Sequence, residues 1–141
     1  MLFRSSSDIY GTFKPVSKIL DEKQPLNPIS PYGISKAAGE YLAQYYVRNN
    51  NLPIVRVRSF NHTGPKQTTD FVIPSFCSQI ARIQKSGKPG KIKVGDLSAK
   101  RDFSDVRDIV HGYYLAAING KPGDVYQLCS GKAVSDRKSV V

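Results

Sequence analysis

The sequence predicts an α/β fold, and three observations carry the prediction. Apolar residues recur at helical spacing over residues 32–48, 72–83 and 106–117. Short apolar runs stand before and between these stretches, at residues 2–3, 54–60, 92–94 and 125–129. Asn, Gly and Pro mark the joins, as in Asn49-Asn50-Asn51, Gly87 with Pro89, and Gly120 with Pro122. Strands alternating with helices are the pattern of a parallel sheet crossed over by helices.

Leu2-Phe3 reads as the last residues of a strand running into the serine loop Ser5-Ser6-Ser7. Residues 12–31 carry Pro15, Pro25, Pro28 and Pro31 among charges, which is loop composition. Ser30 then suits a helix N-cap and Pro31 the first helical position. Ile34, Ala38, Tyr41, Leu42 and Tyr45 form the stripe of that helix, while Gly33, Ala37 and Gly39 leave room for another backbone. In the strand at 54–60, Val55 and Val57 alternate with Arg56 and Arg58. This is unexpected for a central parallel strand, which is apolar on both faces; the sequence alone offers no reason for Arg56. After a polar loop at 66–70, Val72, Ile73, Phe76, Ile80 and Ile83 mark a second helix, ended at Gly87. Ile92-Lys93-Val94 reads as a short strand before a turn at Gly95. Val106, Ile109, Val110, Tyr113 and Ala117 mark a third helix, for which Asp105 and Asp108 make sense as N-terminal acids opposing the helix dipole. Val125–Cys129 is the last strand.

At 141 residues the chain is one domain at most, and 40% hydrophobic residues support a modest core. A formal net charge of +10 suits an anionic ligand as well as a solvated basic surface. The basic residues are spread along the chain rather than packed into one run, which argues against nucleic acid as a partner. No apolar run reaches membrane length and no signal peptide is visible. Cys77 and Cys129 form neither a disulfide framework nor a metal spacing, so a reduced, cytoplasmic protein without a bound metal is expected. His62 has no second His or Cys at ligand spacing, and His111 reads as an ordinary helix residue.

The stretch with chemistry in it is Ser30-Pro31-Tyr32-Gly33-Ile34-Ser35-Lys36. A helix starting at Pro31 puts Tyr32 and Lys36 one turn apart on one face. An ammonium beside a phenol favours the phenolate and fits the phenol for proton transfer. The spacing by itself is common in a Tyr- and Lys-rich chain, and only the flanking sequence gives it meaning.

Together with Ser5-Ser6-Ser7-Asp8-Ile9-Tyr10-Gly11, this stretch resembles the extended short-chain dehydrogenase/reductase family, and within it the nucleotide-sugar epimerases, dehydratases and reductases. The resemblance runs from about residue 2 to 134 and is nearest to the GDP-4-keto-6-deoxymannose reductases and GDP-mannose 4,6-dehydratases. It implies part of a Rossmann-like, doubly wound parallel sheet with a small substrate-binding segment. It implies Tyr32 as acid/base, Lys36 as holder of the nicotinamide ribose, and Ser6 as the hydroxyl that orients the reacting oxygen. The turn Asn61-His62-Thr63-Gly64-Pro65 would lie beside the nicotinamide and the sugar diphosphate, with Asn61 on the substrate and Phe60, the last strand residue before it, on the cofactor. Arg101-Asp102-Phe103-Ser104-Asp105-Val106-Arg107-Asp108 matches a family signature in which the Arg, here Arg101, clamps the diphosphate; a planar guanidinium fork suits that task. Asp8 occupies the place of the dehydratases' proton-abstracting Glu, one methylene shorter, and is read as substrate-contacting or as an ordinary turn residue.

The function implied is reduction, with NADP or NAD, of the 4-keto group of a GDP-4-keto-6-deoxy sugar. A 4,6-dehydratase or epimerase is the alternative. The intact enzyme would be a homodimer. The expected division is 1–61 as the second half of the dinucleotide-binding domain, 62–96 as the substrate segment, 97–130 as the returning part, and 131–141 as a divergent tail. The family's glycine-rich Gly-x-x-Gly-x-x-Gly turn does not occur in the sequence. The chain is therefore expected to be a piece of a longer enzyme, unable by itself to hold NAD(P); an inactive truncated product is the third reading.

Overall fold

A computed structural model describes residues 1–12 and 20–139; Pro15 and the last two residues of the expected tail lie outside them. The elements in chain order are β1 (Leu2–Ser6), a 3-10 turn (Ser7–Tyr10), α1 (Pro31–Asn50), β2 (Val55–Ser59), β3 (Asn61–Thr63), α2 (Val72–Ser86), β4 (Lys100–Asp105), α3 (Val106–Asn119), β5 (Val125–Leu128), β6 (Ala133–Ser135) and a second 3-10 turn (Asp136–Ser139). One sheet has the order β1-β2-β5 with both pairs parallel, so α1 lies in the first crossover and α3 in the second. A second sheet has the order β3-β4-β6, parallel and then antiparallel. The α/β expectation holds.

The alternation in β2 has a clear cause. Val55 and Val57 face α3, packing with Ala116 and against Tyr113, Tyr126 and Leu128. Arg56 and Arg58 face the other way, toward α1. Both residues are buried, so the strand is covered on both faces, by hydrocarbon on one and by the Arg58–Glu40 pair on the other, where Arg56 Nε alone of the guanidinium nitrogens on that face has no partner within ion-pair or hydrogen-bond reach among the described residues. Arg58 Nε donates to Glu40 Oε1 at 2.9 Å and Oε2 at 3.2 Å, and its Nη2 also bonds Oε1. Its Nη1 donates to the Tyr10 hydroxyl at 2.7 Å and the Glu22 carbonyl at 2.9 Å. Arg56 Nη2 donates to the Gly123 carbonyl at 2.7 Å. Burial presses the Arg58 guanidinium to give up its charge, but its bonds to Glu40 and Tyr10 outweigh this and the net shift is upward. At Arg56 burial wins and the shift is downward.

The helix ends follow the sequence chemistry. The Ser30 hydroxyl accepts from the Gly33 N–H, Pro31 is the first helical residue, and Asn51 closes α1 in the left-handed region at φ 51°. Gly87 ends α2 in the same region at φ 64°.

Three expectations need correction. The α1 stripe does not form its packing face: Ile34, Tyr41, Leu42 and Tyr45 are exposed, and the buried face is Gly33, Ala37, Glu40 and Ala43. Small residues win there because the helix lies close on its neighbours; a Cβ at Gly39 would stand 2.7 Å from the Phe3 ring. In α3 likewise, Ile109 and Ala116 are buried while Val110 is exposed. Finally, 92–94 is not a strand. The Gln79 side-chain amide takes both backbone groups of Lys93, accepting from its N–H at 2.8 Å and donating to its carbonyl at 3.1 Å, so no strand partner is needed.

Asp105 caps α3, its carboxylate accepting from the Arg107 backbone N–H at 2.8 Å and from the Arg107 guanidinium at 2.9 and 2.6 Å. The guanidinium bond first, and then the backbone bond, hold the Asp105 carboxyl down at about 2. A depressed carboxylate supports the fold fully above its ordinary value near 3.8 and ceases to do so as pH falls through about 2. An NMR titration of the Asp105 carboxyl is expected to give a midpoint near 2 in the wild type; in Arg107→Ala it should return toward the ordinary range.

Candidate active site

The site begins where β1 ends. Ser6 caps the first 3-10 turn, its hydroxyl oxygen accepting from the Asp8 N–H at 3.2 Å. That use of the oxygen leaves the Ser6 O–H free to donate. The turn sits on the first turn of α1, and Gly33 is what allows it: a Cβ there would lie 2.8 Å from the Asp8 carbonyl oxygen. Ser6, Asp8 and Tyr32 are thereby brought to one cleft of about 810 Å³ at the carboxyl ends of β1 and β2. Tyr32 is half exposed into it. Lys36 stands behind the phenol, outside the lining, with Nζ 5.7 Å from the Tyr32 ring centroid. Its ammonium donates to the Arg4 carbonyl at 3.1 Å, which ties it to β1.

The opposite wall comes from the second sheet. Phe60 and Asn61 follow β2 directly, and Asn61 pairs in register with Phe103 of β4. Arg101, two residues earlier on β4, reaches the same cleft with Phe103. Ser6, Asp8, Tyr32, Phe60, Asn61 and Arg101, named from four separate stretches of sequence, thus line one cavity, with Lys36 adjacent. Asp105 is occupied with the α3 cap, as the N-terminal-acid reading expects.

Sequence reasoning missed part of the wall. His62, Thr63 and Gln67 line the cleft, as does the start of α2. Thr63 Oγ1 donates to Gln67 Oε1 at 2.8 Å, so the polar loop after β3 is folded back on the site. His62 Nδ1 lies 2.9 Å from the Phe60 carbonyl, which can only accept; Nδ1 therefore carries a proton. His62 and Thr63 belong to the turn that the resemblance set beside the substrate, whereas no sequence signal separated Gln67 or the start of α2 from ordinary loop and helix residues. Glu40 was missed too, although an acid four residues past Lys36 on a helix facing an Arg-bearing strand was a readable pairing. Among the described residues no group of three or more His, Cys, Asp or Glu side chains gathers as a metal set, and no helix is long and apolar enough to cross a membrane.

Gly33→Ala is expected to cost about 1–3 kcal/mol as an overpacked contact and to displace the Ser6–Asp8 turn, because the atom it meets is backbone. Urea unfolding measures the cost, and amide shifts at 6–11 measure the displacement; unchanged shifts there would contradict the close contact.

The family model described as GDP-mannose 4,6 dehydratase matches residues 1–141. The chain is 34% identical over 139 residues to the GDP-6-deoxy-D-mannose reductase of Pseudomonas aeruginosa, covering 99% of this chain and 46% of the relative. The solved structure of RMD from Pseudomonas aeruginosa complexed with NADPH superposes with a TM-score of 0.92 at 35% identity, covering 97% of this chain and 47% of that one. The dTDP-glucose 4,6-dehydratase of Bacillus anthracis in complex with NAD superposes with a TM-score of 0.87 at 27% identity, covering 99% of this chain and 43% of that one. The chain thus spans about half the length of the relatives it matches. With the whole sequence matched and the motif residues gathered at one cleft, the chain belongs to the GDP-mannose 4,6 dehydratase family, among the extended short-chain dehydrogenase/reductase enzymes.

Proposed function

We propose that this chain carries the proton-transfer and substrate-holding parts of an NADP- or NAD-dependent enzyme that reduces the 4-keto group of a GDP-4-keto-6-deoxy sugar. The observation that supports this reading best is the convergence of Ser6, Tyr32, Asn61 and Arg101 on one cleft with Lys36 behind the phenol. The likeness to a GDP-6-deoxy-D-mannose reductase and to a structure complexed with NADPH points to the same substrate and cofactor class.

The donor set fits the nicotinamide end of such a cofactor. Lys36 offers an ammonium fixed to β1, Tyr32 a half-exposed phenol, and Phe60 an aromatic wall. The residues of a pyrophosphate cradle are not in this sequence, which has no Gly-x-x-Gly-x-x-Gly turn. When bound, the nicotinamide supplies hydride to the C4 carbonyl. Ser6 then orients that carbonyl through its free O–H, and Tyr32 delivers a proton to the developing alkoxide oxygen. The Lys36 charge stabilises the phenolate left behind and would hold the nicotinamide ribose. Arg101 pairs the diphosphate through its fork, and Asn61 and Asp8 contact the sugar.

A second reading, dehydration of a GDP-sugar, has one observation in its favour: Asp8 lies in the cleft, where an elimination base would be needed. Its short side chain favours reduction. The full-length protein is proposed as a cytoplasmic homodimer, a reading supported by the exposed apolar side of α1 and by two unpaired cysteines. The division at residues 61, 96 and 130 is proposed on the family pattern alone.

The test is a chimera in which this chain follows the preceding half of the Pseudomonas reductase. Tyr32→Phe is expected to lower turnover of the keto sugar by about a hundredfold or more, the range for a lost acid/base. Near-wild-type turnover would remove Tyr32 from the mechanism, and release of a 4-keto-6-deoxy product from GDP-mannose would shift the assignment to the dehydratase.

A further inference from the structure

We infer that Asp136 is a positioning residue for Arg101, fixing one edge of the guanidinium so that the other is presented to the ligand's anionic group. The inference rests on the reading of Arg101 as the diphosphate clamp.

The placement comes from strand register. In the antiparallel pair of β4 and β6, Arg101 stands opposite Val134 and Lys100 opposite Ser135. Asp136 follows next, with its N–H donating to the Ala99 carbonyl at 2.9 Å, so the pairing continues one residue past β6. Two positions on from Val134, Asp136 is the diagonal, same-face neighbour of Arg101. Its Oδ2 lies 3.7 Å from Arg101 Nε.

The environments of the two partners are unequal. Asp136 is 3% exposed, while the Arg101 side chain is 46% exposed and lines the cleft. A buried carboxylate is costly unless a cation answers it, and Oδ1 of Asp136 finds no hydrogen-bond partner among the described residues. The carboxylate therefore draws on Arg101, the cation beside it. At 3.7 Å the contact is an ion pair and not a hydrogen bond. It engages the guanidinium from the Nε side. The end-on edge, Nη1 with Nη2, remains, and its two parallel N–H groups can pair two anionic oxygens side by side. A flexible arginine would lose rotamer freedom on clamping a diphosphate; one already held by a buried anion loses less.

Calorimetry with the 141-residue chain tests this, with GDP as the diphosphate probe and guanosine as the uncharged control. Arg101→Ala and Asp136→Leu are each expected to weaken GDP binding about tenfold, the double variant hardly more, and guanosine binding is expected to stay unchanged. Asp136→Asn, which preserves shape and one acceptor oxygen, guards against a folding defect and should fall between wild type and Asp136→Leu. If Arg101→Ala weakens GDP binding while the Asp136 variants match or exceed wild type, the positioning role is overturned and the diphosphate reading stands. If guanosine binding falls along with GDP binding in the Asp136 variants, Asp136 is structural and the positioning role is overturned. If Arg101→Ala leaves GDP binding unchanged, or the wild-type chain does not bind GDP saturably, the diphosphate reading fails and this inference fails with it.

Discussion

The buried pair of Glu40 and Arg58 is the interaction on which the rest of the arrangement depends. Glu40, 1% exposed, lies on the face of α1 that also carries Gly33 and Ala37; Arg58, 5% exposed, lies on the central strand β2. Desolvating both charges is expensive, and mutual attraction offsets that only when the remaining donors and acceptors are satisfied. Here both carboxylate oxygens are bonded by the guanidinium, whose spare N–H groups reach the Tyr10 hydroxyl and the Glu22 carbonyl. The Tyr10 hydroxyl in turn accepts from Gln127 of β5 at 2.7 Å. One arginine thus ties α1, the turn behind Ser6, the loop at residue 22 and two strands. An apolar contact could supply similar stability, but it would not set the rotation and height of α1 with the same discrimination.

That setting matters because Tyr32 takes its place from α1, and Lys36 from α1 together with the Arg4 carbonyl of β1. Tyr32 is at the second residue of α1 and half exposed. Its place beside Ser6 follows from where α1 lies against β1 and the first 3-10 turn. Lys36 is bound to the Arg4 carbonyl, and Gly33 and Gly39 bring the helix close to Asp8 and Phe3. The polar face of the sheet therefore positions chemistry, while the apolar face under α3, built on Val55, Val57 and Ala116, carries the ordinary hydrophobic burial.

Much of this was legible in the sequence. Helix ends were, because Ser30, Pro31, Asn51 and Gly87 act locally through their own backbone and side-chain geometry. The motif residues were also legible, and all but Lys36 line one cleft, with Lys36 directly behind it. What was not legible depends on partners distant in sequence. Arg56 and Arg58 looked misplaced until Glu40 and the Gly123 carbonyl stood beside them. Lys93 looked like a strand residue until the Gln79 amide met its backbone. The apolar stripe of α1 misled because periodicity shows that a helix has two faces and not which one packs; backbone closeness at Gly33 and Gly39 decided it.

The most direct test of the account is a double-mutant cycle on the pair, with Glu40→Leu, Arg58→Leu and both together, followed by urea unfolding. Each single change leaves one buried charge without its partner and is predicted to cost about 3–5 kcal/mol, while the double change is predicted to cost clearly less than the sum. Additive costs, or single costs below about 1 kcal/mol, the range of an exposed pair, would show that α1 is held by something else.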